Sequence, residues 1–284
     1  VIGTIGNRFN WRFDSQAVPA SPIGTLVTPG ASNGEGDWVE IVTGANLAQD
    51  AYMIWLFVGS GFTSGAQRTY LLDIGTDPAG GSSWVERIAN LTVGLAGNKM
   101  GRQFLFPYLV KAGSSIAVRI LGAPASPTDV RVAMSVFGRP SRPEAIRAAQ
   151  YAESFTGGSI TNGGGGTVTP GTSAGEGSWT SVGTTVRPLW WWQASMQEFD
   201  TSMQTGQYIF LDVGYSTDGG STVTPIIENH MTVVSSSAEE LESTLNVLDA
   251  FCEVPAGAGI YVRMSTNLGS ADANLSATVV GLGG

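Results

Sequence analysis

The residues of this 284-residue chain that could do chemistry are a few acids, two arginines, one histidine and a run of tryptophans. Glu35 and Glu176 each sit inside Gly-Glu-Gly, just before Trp38 and Trp179. Two carboxylates can serve glycoside hydrolysis as acid and base. Nothing in the spacing brings these two together, so each is expected to be a turn glutamate bonded to local backbone or to a neighbouring subunit. Asp73 with Asp77, and Asp212 with Asp218, lie beside glycines and could offer oxygen ligands to Ca²⁺. The second acid shifts by two positions between the two loops, and each loop brings only two carboxylates. The plainer expectation is that Asp73 and Asp212 end strands while the Gly-Gly pairs allow positive φ in hairpin turns, with no cofactor held.

His230 is the only histidine, and the matching position elsewhere in the chain is Leu91. A Ser-His-Asp site needs a base that Leu91 cannot be, so His230 reads as an ordinary strand residue. One His and one Cys cannot close a four-ligand zinc site. Cys252, in an apolar stretch, is expected to be a small buried residue and not a reactive thiol. Gly163–Gly166 lacks the Lys-Ser/Thr ending of a phosphate loop. Arg119 and Arg263 end a shared Ile-x-Val-Arg stretch, which implies a subunit contact or a paired charge within the domain. Trp190-Trp191-Trp192 could stack on sugars. In a strand, however, Trp190 and Trp192 face one way and Trp191 the other, so core or interface is the favoured reading. No catalytic set emerges, and the chain is expected not to be an enzyme.

Most of these residues occur twice because the chain repeats itself. Val27-Thr28-Pro29-Gly30 through Gly34-Glu35-Gly36-Asp37-Trp38 returns as Val168-Thr169-Pro170-Gly171 through Gly175-Glu176-Gly177-Ser178-Trp179. Leu72-Asp73-Ile74-Gly75 returns as Leu211-Asp212-Val213-Gly214, and Ala112-Gly113 with Ile116-Ala117-Val118-Arg119 returns as Ala256-Gly257 with Ile260-Tyr261-Val262-Arg263. The offsets are 141, 139 and 144 residues, so order is kept and an insertion separates the last two blocks. Two homologous domains are implied, 1–138 and 164–284, joined by a linker over 139–163.

Each copy reads as short strands between Gly/Pro/Asp turns. In the first they are 38–42, 52–58, 68–74, 84–93, 104–110, 115–121 and 130–137. The last of these alternates Val130, Val132, Met134 and Val136 on one face. In the second they are 190–196, 208–213, 222–233, 248–254, 259–264 and 275–280. The pattern predicts an all-β chain of two tandem antiparallel β-sandwiches, jelly-roll-like. Two helices are predicted: Glu144 to Gln150 in the linker, with Pro143 at its start, and Ser237 to Leu245 at the insertion, where Ser237 and Glu240 have capping-box spacing. The two linker prolines, Pro140 and Pro143, are expected to orient the domains.

Charge divides unevenly. Residues 1–157 carry 12 Arg and Lys against 11 acids, whereas residues 158–284 carry two Arg against 12 acids. So acidic a second half is unsuited to nucleic acid. There is no unbroken apolar run of about 20 residues to span a membrane as a helix, and Val1 to Phe13 lacks a secretory signal pattern. If one end docks on an acidic partner, it is the N-terminal one.

The order Gly-x-Val-Thr-Pro-Gly, Gly-Glu-Gly-x-Trp, Leu-Asp-Ile-Gly, Gly-Gly, then Phe-Pro and Ala-Gly-x-x-Ile-x-Val-Arg resembles a β-sandwich repeat of tailed-bacteriophage virion proteins, over residues 24–138 and 166–281. That resemblance implies a capsid-decoration, head-fibre or tail-associated protein of the virion, working as a homo-oligomer against other virion proteins such as the major capsid or a tail protein. It brings no catalytic residues with it. A carbohydrate-binding adhesin, on a tail or secreted and facing a host-surface glycan, is the alternative raised by the tryptophan run.

Overall fold

The computed structural model describes residues 10–13, 24–30, 34–60, 67–96, 102–122, 130–138, 148–156, 166–171, 175–198, 208–236, 240–242, 248–267 and 275–284. The first copy contributes β1 (Asn10–Phe13), β2 (Thr25–Val27), β3 (Val39–Val42), β4 (Ala51–Ser60), β5 (Gln67–Asp77), β6 (Val85–Ala96), β7 (Arg102–Phe106), β8 (Ser115–Gly122) and β9 (Val130–Gly138). One sheet runs β1-β9-β4-β7, with β2 also paired to β9, and the other runs β3-β8-β5-β6. Alternate residues of both sheets, among them Ile54, Leu56, Leu72, Ile74, Val118, Ile120, Val132 and Met134, fill one buried cluster between them.

The second copy contributes β10 (Tyr151–Phe155), β11 (Gly166–Val168), β12 (Thr180–Thr184), β13 (Leu189–Glu198), β14 (Tyr208–Ser216), β15 (Thr224–Ser236), β16 (Glu240–Glu242), β17 (Leu248–Val254), β18 (Gly259–Thr266) and β19 (Leu275–Gly283). Its sheets run β10-β19-β13-β17, with β11 on β19, and β12-β18-β14-β15-β16. Strand for strand this is the order of the first copy, with β16 added at one edge. Both are antiparallel sandwiches of the jelly-roll kind, in which successive strands cross between two sheets. The duplication seen in sequence is thus a duplication of topology.

Three local expectations change. Glu240–Glu242, inside the predicted 237–245 helix, is a strand: Val233 pairs with Glu242 and Val234 with Leu241. The unpaired edge of β15 captures the insertion, and that pairing overrides the local capping-box signal; the rest of the predicted helix lies outside the described residues. Most of the predicted linker helix also lies outside them, and its end is not helical, since Ala149 forms a parallel bridge with Tyr108. Tyr151–Phe155, within the stretch read as linker, is an edge strand of domain 2, paired to β19.

The two domains share apolar surface. Trp190, Trp191, Val280 and Leu282 of domain 2 join the buried cluster of domain 1. β6 packs across β10, β13 and β19. Phe106 meets Trp191 edge-on, with centroids 6.0 Å apart. The linker end is tied down as well: Leu109 N–H donates to Ala149 O at 2.8 Å, and Tyr108 Oη donates to Gln150 O at 3.0 Å.

Candidate functional site

The repeated polar residues converge on the outer face of the β3-β8-β5-β6 sheet. Tyr70, Leu72 and Ile74 point into the core, so Asp73 and Gly75 point outward. Arg119 on β8 stands opposite Asp73 in register. Its Nε donates to Asp73 Oδ2 at 2.8 Å, its Nη1 reaches Glu35 Oε2 at 2.5 Å, and its Nη2 donates to Glu86 Oε2 at 2.6 Å. The guanidinium lies 4.6 Å from the ring centroid of Trp38. Asp73 Oδ1 accepts from Asn90 N–H at 2.7 Å.

Each part of the sequence motif has a task in this cluster. Gly75 leaves room for the Trp38 ring, since a Cβ there would lie 2.9 Å from Trp38 Cη2 and Cζ3. Gly36 lets the chain pass Thr28 O, which a Cβ would meet at 2.3 Å, while its N–H donates to Ile120 O at 2.9 Å. The Gly-Glu-Gly-x-Trp run is therefore pinned to β8 and delivers Glu35 and Trp38 to Arg119. Asn90 has φ 57°, at a register shift of β6. Asn tolerates this left-handed conformation better than most residues, and the bulge turns its N–H toward Asp73.

Domain 2 rebuilds the same set. Arg263 Nε donates to Asp212 Oδ2 at 2.8 Å, Nη1 pairs with Glu176, and the guanidinium sits 4.4 Å from the Trp179 centroid. Asn229, with φ 53°, donates its N–H to Asp212 Oδ1 at 2.6 Å. The third carboxylate is not rebuilt: Glu86 stands opposite Gly75, and Pro225 stands at the same place opposite Gly214. Burial opposes the Arg119 charge, but Asp73, then Glu35 and Glu86, overcome it and hold the guanidinium above its usual range. Burial and the Asp73 charge push the Glu86 carboxyl up, against the pull of Arg119. Sequence reading missed Glu86, which does not repeat, and Asn90 and Asn229, whose signal was a shared Ile-x-Asn inside a strand.

The remaining candidates do not form a reactive centre with this cluster. Asp73 and Asp212 lie within strands and do not end them, because an arginine on the next strand neutralises each one. Asp77 closes the β5–β6 hairpin, accepting from Ala79 N–H at 2.9 Å and Ser83 N–H at 3.1 Å. In domain 2 the strand position of Asp77 is held by Ser216. There Asp218 accepts from Ser216 Oγ at 2.5 Å and from Thr222 N–H at 3.0 Å. This explains the two-residue shift of the second acid. Among the described residues, no three His, Cys, Asp or Glu side chains gather as a metal site.

His230 faces Leu211 across β14–β15, as Leu91 faces Leu72 across β5–β6. Its Nε2 is buried without a hydrogen-bond partner, and burial lowers its pKa. Cys252 is half-buried, and burial followed by the Glu253 charge raises its thiol pKa, which disfavours the thiolate. Trp190, Trp191 and Trp192 are all buried, the last in the core of domain 2 and the first two against domain 1. They offer no stacking face to a sugar. Among the described residues no helix is long and apolar enough to cross a membrane.

No family model matches the chain, and no curated protein matches it in sequence. Among solved structures it is similar to the N-terminal CBM22-1–CBM22-2 tandem domain of Paenibacillus barcinonensis Xyn10C, at 10% identity and TM-score 0.28, covering 96% of this chain and 91% of that one. It is similar to a peptide-N(4)-(N-acetyl-β-D-glucosaminyl)asparagine amidase at 9% identity and TM-score 0.36, covering 91% of this chain and 96% of that one. It is also similar to a chain of Broad Bean Stain Virus at 10% identity and TM-score 0.38, covering 91% and 87%. Each likeness stops at general architecture.

Proposed function

We propose that the chain is a non-enzymatic structural protein of a tailed-phage particle, attached to the capsid as a symmetric oligomer, with domain 1 nearer the shell and domain 2 outward. The observation that carries this reading is how the duplicated polar residues are used. In both domains the repeated Arg, Asp, Glu and Trp bind one another and hold one loop, β2–β3 in domain 1 and β11–β12 in domain 2, onto the outer face of the sandwich. What was duplicated is a scaffold. Glu35 and Glu176, the only repeated carboxylates with a catalytic rationale, are each committed to an arginine of their own domain. A scaffold displayed in many copies on a symmetric lattice turns weak contacts into firm attachment. The uneven charge supports the orientation, with the arginine-rich half toward the shell and the acidic half in solvent. The glycan-binding alternative loses the tryptophan platform that motivated it.

The test is the copy number relative to the major capsid protein in purified particles, together with its position in a particle map. Hundreds of copies on the head are expected. A few to a dozen would move it to the tail or a vertex, and domain 2 buried against the shell would reject the orientation.

A further inference from the structure

The two copies use one equivalent sheet face differently. In domain 2 the outer face of β10-β19-β13 is sealed by domain 1, and Trp191, Gln193, Ser195 and Val280 are at most 3% exposed. In domain 1 the equivalent outer face of β9-β4-β7 is more apolar, and among the described residues domain 2 does not seal it. Met53, Trp55, Phe57, Leu105 and Phe137 are half-buried there. Trp55 lies 4.6 Å from Phe57 and 6.3 Å from Phe137, centroid to centroid, so the rings form a continuous surface. Leu26 beside them is 39% exposed. Among the described residues this face carries Arg131 and no acid, and Arg12 stands in register opposite Ser135.

Domain 2 holds a matching element. β17 ends its sheet and carries Asp249, Phe251 and Glu253 at alternate positions. Phe251 is 77% exposed and lies 13° from parallel to the buried Trp190 ring, 6.2 Å away, which fixes it as a knob. β17 is the counterpart of β7, and the edge formed by β6 and β7 is what covers domain 2 within the chain.

We propose that the β17 edge of one molecule docks on the outer face of domain 1 of a second copy, with Phe251 set among Trp55, Phe57 and Phe137 and Glu253 of β17 facing Arg131. The contact repeats between molecules what the tandem already does within one. It is heterologous, so it closes into a ring or extends into a chain. This rests on the reading of the protein as a self-assembling particle component.

Light scattering on the full chain after gel filtration tests it. Wild type is expected to be oligomeric. Phe251→Ser and Trp55→Ser are each expected to weaken self-association by roughly thirty-fold or more, as truncation of an interface hot spot does. Leu105→Glu replaces Trp55→Ser if circular dichroism shows the latter unfolded. Mixing the edge variant with the face variant is expected to restore a one-to-one complex, because each keeps the half the other lost. Oligomers that persist in both variants would overturn this interface while leaving self-assembly intact. Failure of the mixture to associate would overturn it in favour of a two-fold contact. A monomeric wild type would overturn both the interface and the self-assembly it rests on.

Discussion

Removing Arg119 is the most direct challenge to the idea that the repeated cluster holds the sandwich together. The Asp73 side chain is 6% exposed and that of Arg119 is 19%, whereas Glu35 and Glu86 are 44% and 42% exposed. In Arg119→Met, Asp73 stays buried with the Asn90 N–H as its remaining partner. Stranding a buried charge in this way costs about 3–5 kcal/mol. The two exposed glutamates add less than about 1 kcal/mol each, and the lost stacking on Trp38 adds about 0.5–1 kcal/mol. A loss of about 4–5 kcal/mol is expected, which lowers Tm by roughly 10–20 °C.

Asp73→Asn removes the charge but leaves Oδ1 to accept from Asn90. In that background Arg119→Met is expected to cost only about 1–2 kcal/mol, the exposed pairs and the stacking together. Calorimetry on the four proteins of the cycle then yields a coupling of at least about 2 kcal/mol. Additivity within about 0.5 kcal/mol, or a single-variant cost below about 1 kcal/mol, would refute the reasoning: the cluster would then be surface decoration. Arg263→Met is expected to cost less than Arg119→Met, because it strands two carboxylates and not three.

Three further outcomes are expected. Gly75→Ala drives a Cβ into the Trp38 ring and is expected to destabilise domain 1 by about 1–3 kcal/mol, read from its urea midpoint; an unchanged midpoint would show that the ring moves freely. Gln193 is 1% exposed, and among the described residues neither Oε1 nor Nε2 has a partner. Gln193→Met is therefore expected to raise stability by about 1–3 kcal/mol, and a lowered Tm would reveal a buried water that the amide needs. Burial depresses the His230 pKa below its ordinary 6.5. The unfolded chain then binds the proton more readily, so stability is full above pH 6.5 and falls as the pH drops below it toward the folded value. His230→Leu, the residue of the first copy, is expected to flatten that limb of a stability–pH curve between pH 7 and 5; an unaltered slope would assign it to other groups.

Much of the scaffold could be read from the chain. The long strands declared themselves by alternation, as in Val130 to Val136, and the cluster residues by recurrence. What escaped had weak local signals. β2, β11 and β16 are three residues long, too short for a period. β16 carries a helix-like pattern that a free sheet edge overrode. Recurrence marked Asp73 and Arg119 as a set without showing that they touch, because that contact spans 46 residues of chain. Glu86 joined them unannounced. The tryptophan run could not be resolved into core and interface, because the face that covers Trp191 belongs to the other domain.

The covering of the Trp191 face by domain 1 fixes where the two copies were free to diverge. A jelly roll has two outer sheet faces, and in each domain the Arg-Trp cluster occupies one. The other is the face that domain 1 covers in domain 2, and there the residues are Trp191, Gln193 and Ser195, fitted to β6. Among the described residues domain 2 places no such constraint on the same face in domain 1, yet it carries the rings of Trp55, Phe57 and Phe137. A solvated face drifts toward polar residues, since apolar area costs roughly 25 cal/mol per Å² when left in water. Trp55, Phe57 and Phe137 on this face therefore point to something that covers it. β16 sharpens the argument, because it pairs along β15 in domain 2 and so occupies the edge that in domain 1, as β6, makes the contact between domains. With that edge taken, β17 and its protruding Phe251 are the part of the docking edge that domain 2 still presents, and an aromatic face on a second copy is what it is shaped to meet.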